Sequence, residues 1–179
     1  IKMTLYRTGQ SSPFVRALID AARAGKDVTA VVELRARFDE AANIDLAPEL
    51  QNAGANVVYG VVGHKTHAKM TLVVRREGPR LRRYVHLGTG NYHPVTARLY
   101  TDVSLLTCDP ALTEDVHQVF LTLTGLGSVR PLKRLLQSPF TLQQAIIARI
   151  EHEAEAASNG QPARIQAKMN ALTEPAVIA

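Results

Sequence analysis

The sequence contains one cysteine, Cys108, so no internal disulfide can form, and no Cys/His cluster has the spacing of a zinc site. No apolar run approaches the roughly 20 residues that a membrane-spanning helix needs, and no secretory leader opens the sequence. Internal repeats and low-complexity stretches are absent as well. A lone thiol suits a reducing cytoplasm best, with association at a membrane surface left open. Cys108 follows Leu105 and Leu106, and is expected to be a small buried hydrophobe.

What is present describes an ordinary globular chain of 179 residues, 46% hydrophobic and 21% charged. Twenty-one Lys and Arg against 16 Asp and Glu leave a net charge of +5, which permits an anionic partner without naming one. Position 1 is Ile and already begins a strand-like run, while Glu174 to Ile178 reads as a helix start of about one turn. The expectation is a piece of a larger protein.

Ile1 to Tyr6 predicts a strand, and Ser12 with Pro13 predicts a helix start carrying Phe14, Ala17, Leu18, Ala21 and Ala22 on one side. Val28 to Leu34 is a β-branched strand. A helix is predicted over Glu40 to Ala53, kinked or late-starting because an interior Pro48 costs about 3 kcal/mol. Asn56 to Val62 follows as a strand. This β-α-β-α-β order argues for a parallel sheet covered by helices. Ala68 to Arg75 and Leu81 to Leu87 then form a hairpin around Gly78-Pro79, with Asp102 to Thr107 as a further strand. Asp109-Pro110 opens a helix to about Thr124, and Gly125, Gly127 and Ser128 suggest a joint between domains. Thr141 and Gln144 form a capping-box pattern for a helix to about Ala157, followed by a strand from Ala163 to about Met169.

The segment Gly63-His64-Lys65-Thr66-His67-Ala68-Lys69 places two imidazoles and two ammonium groups at a strand entrance. Alternation puts His67, Lys69 and Thr71 on one face, and Ala68, Met70, Leu72 and Val74 on the apolar one. An imidazole can attack phosphorus while neighbouring cations neutralise phosphate oxygens; a basic loop beside a core strand is the plainer alternative. If Arg76 faces Leu81, then Thr71 faces His86, Lys69 faces Gly88 and His67 faces Gly90. Gly88-Thr89-Gly90-Asn91 would then run past the imidazole, offering backbone N–H groups and side-chain donors to an oxyanion. Arg75, Arg76, Arg80, Arg82 and Arg83 crowd the turn, as a solvated basic hairpin also would. Arg7 and Arg37 each follow a parallel strand, at the rim where open α/β sheets bind ligands, and suit polyanion contacts.

Leu5-Tyr6-Arg7, Val32 through Glu40 (VELRARFDE), Lys65-Thr66-His67-Ala68-Lys69, Tyr84 through Tyr92 (YVHLGTGNY) and Thr96 through Asp102 (TARLYTD) resemble the long-chain polyphosphate kinase family. Order and spacing match over roughly residues 3 to 125, and the tail resembles the start of that family's last domain. The resemblance implies an α/β, phospholipase D-like sheet with flanking helices over residues 1–130. Residues 131–179 would begin a second, similar domain. It implies an enzyme that reversibly transfers the terminal phosphate of ATP to inorganic polyphosphate through a phosphohistidine. His67 matches the histidine that carries the phosphate, and His86 a second histidine associated with activity. Tyr100 matches a nucleotide-contacting tyrosine, and Arg7 and Arg37 match a Mg²⁺ site. Arginine has no lone pair for a metal, so these two are expected to hold phosphate oxygens that bind Mg²⁺. Lys69 is expected to steady the transition state.

The same resemblance implies a homo-oligomer for the full-length protein and no nucleic-acid partner. It also places further site groups beyond Ala179, so the 179 residues alone are expected to be inactive or very weak. The phospholipase D pattern has Asp five residues after its Lys, where this chain has Val74. That disfavours the runner-up, a phosphodiesterase or nuclease. A non-catalytic module binding polyanions or nucleic acid is the third reading, and it predicts binding that weakens steeply with salt.

Overall fold

Runs of β-branched residues alternate with helical segments that stop at glycine, and they fold into an α/β architecture in the computed structural model, which describes residues 1–8, 12–33, 40–61 and 63–178. The chain divides into two compact units, Ile1–Arg134 and Leu135–Ala179. The first contains β1 (Lys2–Leu5), α1 (Pro13–Arg23), β2 (Thr29–Val32), α2 (Glu40–Asn52) and β3 (Asn56–Val58). It continues with β4 (Lys69–Glu77), β5 (Arg80–Gly88), α3 (Thr96–Leu99), β6 (Ser104–Thr107) and α4 (Pro110–Leu123).

These strands form one six-stranded sheet in the order β3-β2-β1-β4-β5-β6. The β1–β2 and β2–β3 pairs are parallel, as the β-α-β-α-β reading requires, and the other pairs are antiparallel. The hairpin has the register expected from its turn: Arg76 opposite Leu81, Thr71 opposite His86 and Lys69 opposite Gly88. The ladder begins at Lys69, so His67 lies outside it.

Helix α1 buries Val15, Leu18 and Ile19 against a core that includes Met3, Leu5, Ala30, Val32 and Leu50. The buried stripe overlaps the expected one, since Leu18 is buried and Ala21 and Ala22 pack partly buried against the core. It widens toward Val15 and Ile19 in place of Phe14 and Ala17. Val15 and Ile19 remove more apolar area from water than Ala17 would, and Phe14 is left 47% exposed. Ser12 occupies the N-cap position without a side-chain capping bond, and its carbonyl accepts from the Arg16 N–H. Helix α2 starts at Glu40 and runs through Pro48. The lost backbone bond costs about 3 kcal/mol, which burial of Leu46 and Leu50 offsets at about 1.5–3 kcal/mol each. Helix α4 is capped by Asp109, whose Oδ1 accepts from the Leu112 N–H at 2.9 Å. Val116 and Phe120 of α4 are fully buried, as are Leu72 of β4 and, nearly so, Val85 of β5.

Two positions, Val74 in β4 and Cys108 just after β6, differ from expectation. Val74 is 42% exposed because the turn end of the hairpin stands clear of the core, as Leu81 at 65% also shows. Cys108 is only half-buried and accepts from the Arg82 guanidinium at 3.1 Å.

The second unit holds α5 (Leu142–Ser158) and α6 (Pro175–Ile178). The strand expected from Ala163 to Met169 does not form, and that stretch is exposed without regular structure. Among the described residues the unit offers no partner strand, and an unpaired strand leaves its ladder unmade. The capping box is not formed either: Thr141 Oγ1 accepts from the Gln137 N–H at 3.0 Å and makes no cap bond to its helix. No helix of the described residues is long and apolar enough to cross a membrane.

Phe120→Ala should lower the stability of the first unit by about 3–5 kcal/mol, the cost of a large core cavity. Phe120→Leu should lose less, and denaturant midpoints at constant slope would measure both.

Candidate functional site

The site grows from where β4 enters the sheet. Antiparallel pairing sets Lys2 opposite Leu72 and Met3 opposite Thr71. Carried forward, that register brings Leu5 beside Lys69 and Arg7 beside His67. The residues that follow β1 therefore meet the residues that precede β4, although 60 positions separate Arg7 from His67 in the chain.

His67 is exposed at this rim, with the Tyr6 ring against it edge-on at 4.9 Å and 75°. Lys69 Nζ lies 3.1 Å from His67 Nδ1 and 3.2 Å from Nε2, and donates to the His67 carbonyl. Near-equal distances put the ammonium over the ring face, since the two nitrogen lone-pair directions diverge. The ammonium thus leaves the in-plane directions of both ring nitrogens clear. Lys69 is only 6% exposed, and its ammonium and the Arg7 guanidinium lie 5.1 and 5.5 Å from the centre of the Tyr6 ring.

This arrangement acts on ionisation. The His67 pKa is lowered first by partial burial, then by the charges of Lys69, Arg7 and Lys65. Burial and the Arg7 charge lower the Lys69 pKa to about 8, with Asp102 acting in the opposite sense. A neutral imidazole and an ammonium ready to lose its proton stand side by side.

Across the hairpin, His86 faces Thr71 on the same side of the sheet as Lys69. Its Nδ1 is 2.8 Å from the Tyr92 hydroxyl, which accepts from Thr71 Oγ1 at 3.1 Å. With Thr71 donating, the Tyr92 proton is free to go to Nδ1, which puts the His86 proton on Nε2. Burial lowers the His86 pKa and raises that of Tyr92, the latter opposed by the Thr71 bond. Tyr92 is 8% exposed and packs on Phe14 at 5.1 Å. A cavity of about 210 Å³ opens beside His86, with Gly88, Gly90, Tyr92 and Asp102 among its walls.

The glycine segment does something other than expected. A Cβ at Gly90 would collide with the Asp102 carboxylate, so the missing side chain makes room for an acid of this chain rather than for an oxyanion. Thr89 Oγ1 is committed too: it donates to Asp102 Oδ1 at 2.9 Å and accepts from the Val103 N–H.

His67, Lys69 and Arg7 are brought together, and His86 shares their face of the sheet. Tyr100 is the C-cap residue of α3 and is 58% exposed. Arg37 lies outside the described residues. Three of the hairpin arginines are engaged away from this site: Arg83 pairs with Glu114 at 2.6 Å, and Arg82 and Arg75 lie 3.6 and 3.9 Å from Glu77. Val74, opposite Arg83, supplies no acid. Among the described residues no three His, Cys, Asp or Glu converge as metal ligands. With Arg7 lacking a lone pair, these side chains do not fit a protein-held Mg²⁺.

Sequence reasoning missed the roles of Tyr6, Tyr92 and Asp102. Each lies within a stretch that resembles the family, but only the folded chain shows what each touches.

Comparison with known proteins gives consistent matches. Residues 1–129 match the family described as "Polyphosphate kinase C-terminal domain 1", and residues 135–179 match "Polyphosphate kinase C-terminal domain 2". A polyphosphate kinase of Xylella fastidiosa (strain 9a5c) is 66% identical over 178 residues, 99% of this chain and 26% of the relative. One from Pseudomonas aeruginosa is 61% identical over the same share of each. The crystal structure of polyphosphate kinase from Porphyromonas gingivalis is similar with a TM-score of 0.75 and 36% identity, covering 89% of this chain and 27% of that one. The chain thus spans about a quarter of the length of the curated relatives it matches.

Tyr92→Phe keeps the ring packing and removes the hydroxyl between Thr71 and His86. It should cost about 1 kcal/mol in stability and release His86 from its Nε2-protonated tautomer. Nitrogen-15 chemical shifts of the two ring nitrogens, drawn together in the variant and well separated in the parent, would register the change.

Proposed function

The chain belongs to the polyphosphate kinase family, and from that premise we propose that it forms the part of an ATP:polyphosphate phosphotransferase that carries the transferred phosphoryl group on His67. The observation that carries this reading is the ring itself. His67 is kept neutral by partial burial and by the charges of Lys69, Arg7 and Lys65, and neither lone-pair direction is blocked by the ammonium beside it.

The step follows from that state. The lone pair of the unprotonated ring nitrogen forms an N–P bond to the γ-phosphorus of ATP. The bond from phosphorus to the bridging oxygen breaks, and its electron pair stays on ADP. A terminal oxygen of polyphosphate then forms a P–O bond as the N–P bond breaks, and the ring recovers its lone pair. Because a phosphoramidate is a high-energy linkage, the sequence runs in either direction.

Phosphoryl transfer needs positioning and charge neutralisation more than covalent assistance. Arg7 offers a planar fork to two phosphate oxygens, and the Lys69 ammonium beside the ring supplies positive charge to neutralise a third. Arg37 completes the set by resemblance. His86, with Tyr92 donating to Nδ1, presents Nε2–H as a donor to the entering or leaving oxygen. The ring of the exposed Tyr100 suits stacking on the nucleotide base. Mg²⁺ enters bound to the phosphates of ATP, as part of the substrate. Turnover belongs to the longer protein, which supplies the rest of the site and its oligomeric state.

His67→Ala in the full-length protein should abolish acid-labile, alkali-stable label from γ-labelled ATP. Continued polymer synthesis by that variant would sink the proposal. The pH profile of kcat/KM, which reports the free enzyme, provides a second check. Activity needs neutral His67, whose lowered pKa places the acid limb below the ordinary pH of 6.5. Activity also needs protonated Lys69, so it should fall as pH rises through about 8. Lys69→Arg should keep its charge and remove that alkaline limb, whatever its absolute rate.

A further inference from the structure

We propose that Glu33 and Thr4 are positioning residues that clamp the backbone on both sides of His67, an inference resting on His67 as the phosphoryl carrier. His67 precedes the first ladder residue of β4 and lies in an exposed stretch without regular structure. Sheet hydrogen bonding therefore does not hold it. Two buried side chains from the neighbouring parallel strands do so instead.

On the N-terminal side, Glu33 follows the last residue of β2 and is 6% exposed. Its Oε2 accepts the backbone N–H of Thr66, the residue before His67, at 2.8 Å. On the C-terminal side, Thr4 of β1 is 2% exposed. Its Oγ1 donates to the Ala68 carbonyl at 2.7 Å and accepts from the Met70 N–H at 3.0 Å. Residues 66 and 68 are thus tied to β2 and β1, and the imidazole projects from the single residue between them.

The geometry is built closely around this contact. Gly60 adopts φ +57, and a Cβ there would stand 3.1 Å from Thr66 Oγ1 and 3.6 Å from Glu33 Oε2. A carboxylate is expensive to bury, and a charged acceptor holds an amide N–H more strongly than a neutral one. Spending it on the amide beside His67 makes sense where that residue must not drift. A reacting group displaced by about 1 Å can lose on the order of 100-fold in rate.

The test uses full-length polyphosphate kinase carrying this chain and follows single-turnover labelling of His67 by γ-labelled ATP. Glu33→Ala should slow labelling about 100-fold while ATP affinity stays within about threefold. Glu33→Gln, which retains an oxygen acceptor on the same stem, should stay within about tenfold of the parent. Thr4→Val should slow labelling about tenfold, and Thr4→Ser, which keeps the hydroxyl, should restore it. Parent-like rates in both Glu33→Ala and Thr4→Val would overturn the clamp, as would a Gln variant as slow as Ala, or ATP affinity falling in step with rate. If substitution prevents folding, hydrogen exchange in the unsubstituted protein decides: the Thr66 amide should be strongly protected, and free exchange there refutes the clamp. His67→Ala separates the two ideas. Label persisting in that variant defeats the carrier reading itself, whereas no label in it combined with parent-like Glu33→Ala and Thr4→Val defeats the clamp alone.

Discussion

Positive charge held against a single imidazole is the interaction around which the first unit is arranged. An ammonium as buried as Lys69 is costly, and the cost registers as a pKa lowered to about 8. The sheet tolerates it because the Tyr6 ring, the His67 carbonyl and the Asp102 carboxylate surround it with negative potential. Those same groups keep it against the His67 ring, where its charge adds to the ring's own partial burial in keeping the imidazole neutral. The charge arrangement and the nucleophile's protonation state are one feature.

The mixed sheet makes that arrangement possible. Three parallel strands, β3, β2 and β1, end at one rim, and β4 enters beside β1 running the opposite way. The start of β4 therefore lies at the rim where β1 and β2 finish. Tyr6 and Arg7 arrive from one strand, Glu33 from the next, and His67 and Lys69 from the incoming one. The β5 partner then adds His86 on the same face, with Thr71 and Tyr92 linking it to β4 and to the glycine-containing loop. The opposite side of the hairpin has a structural task, burying Leu72 and Val85 beneath α4 while arginines nearer the turn pair with Glu77 and Glu114.

Much of this is legible without coordinates where physical rules act locally. The Gly78-Pro79 turn sets the hairpin register, so the placement of His86 opposite Thr71 follows from counting outward. Asp109-Pro110 starts α4 because cap geometry depends on adjacent residues. Local rules fail where a partner is required. The run at Ala163 has strand composition but no neighbouring strand, and Thr141 turns its hydroxyl toward Gln137 instead of its own helix. The edge of the buried side of α1 depended on the sheet beneath it, which took up Val15 and Ile19 and left Phe14 and Ala17 outside.

Residue types at short spacing determined by themselves that His67 and Lys69 would be neighbours, that a hairpin would carry His86 back toward them, and that parallel strands would come first. These follow from alternation and turn chemistry, which reach only a few residues along the chain. Tertiary structure alone decided that Arg7 and Tyr6 flank the imidazole, that Asp102 fills the space beside Gly90, and that Glu33 and Thr4 grip residues 66 and 68. Each of those contacts joins strands or loops distant in the chain, and depends on which strand the sheet places next to which, an order that sequence spacing does not encode.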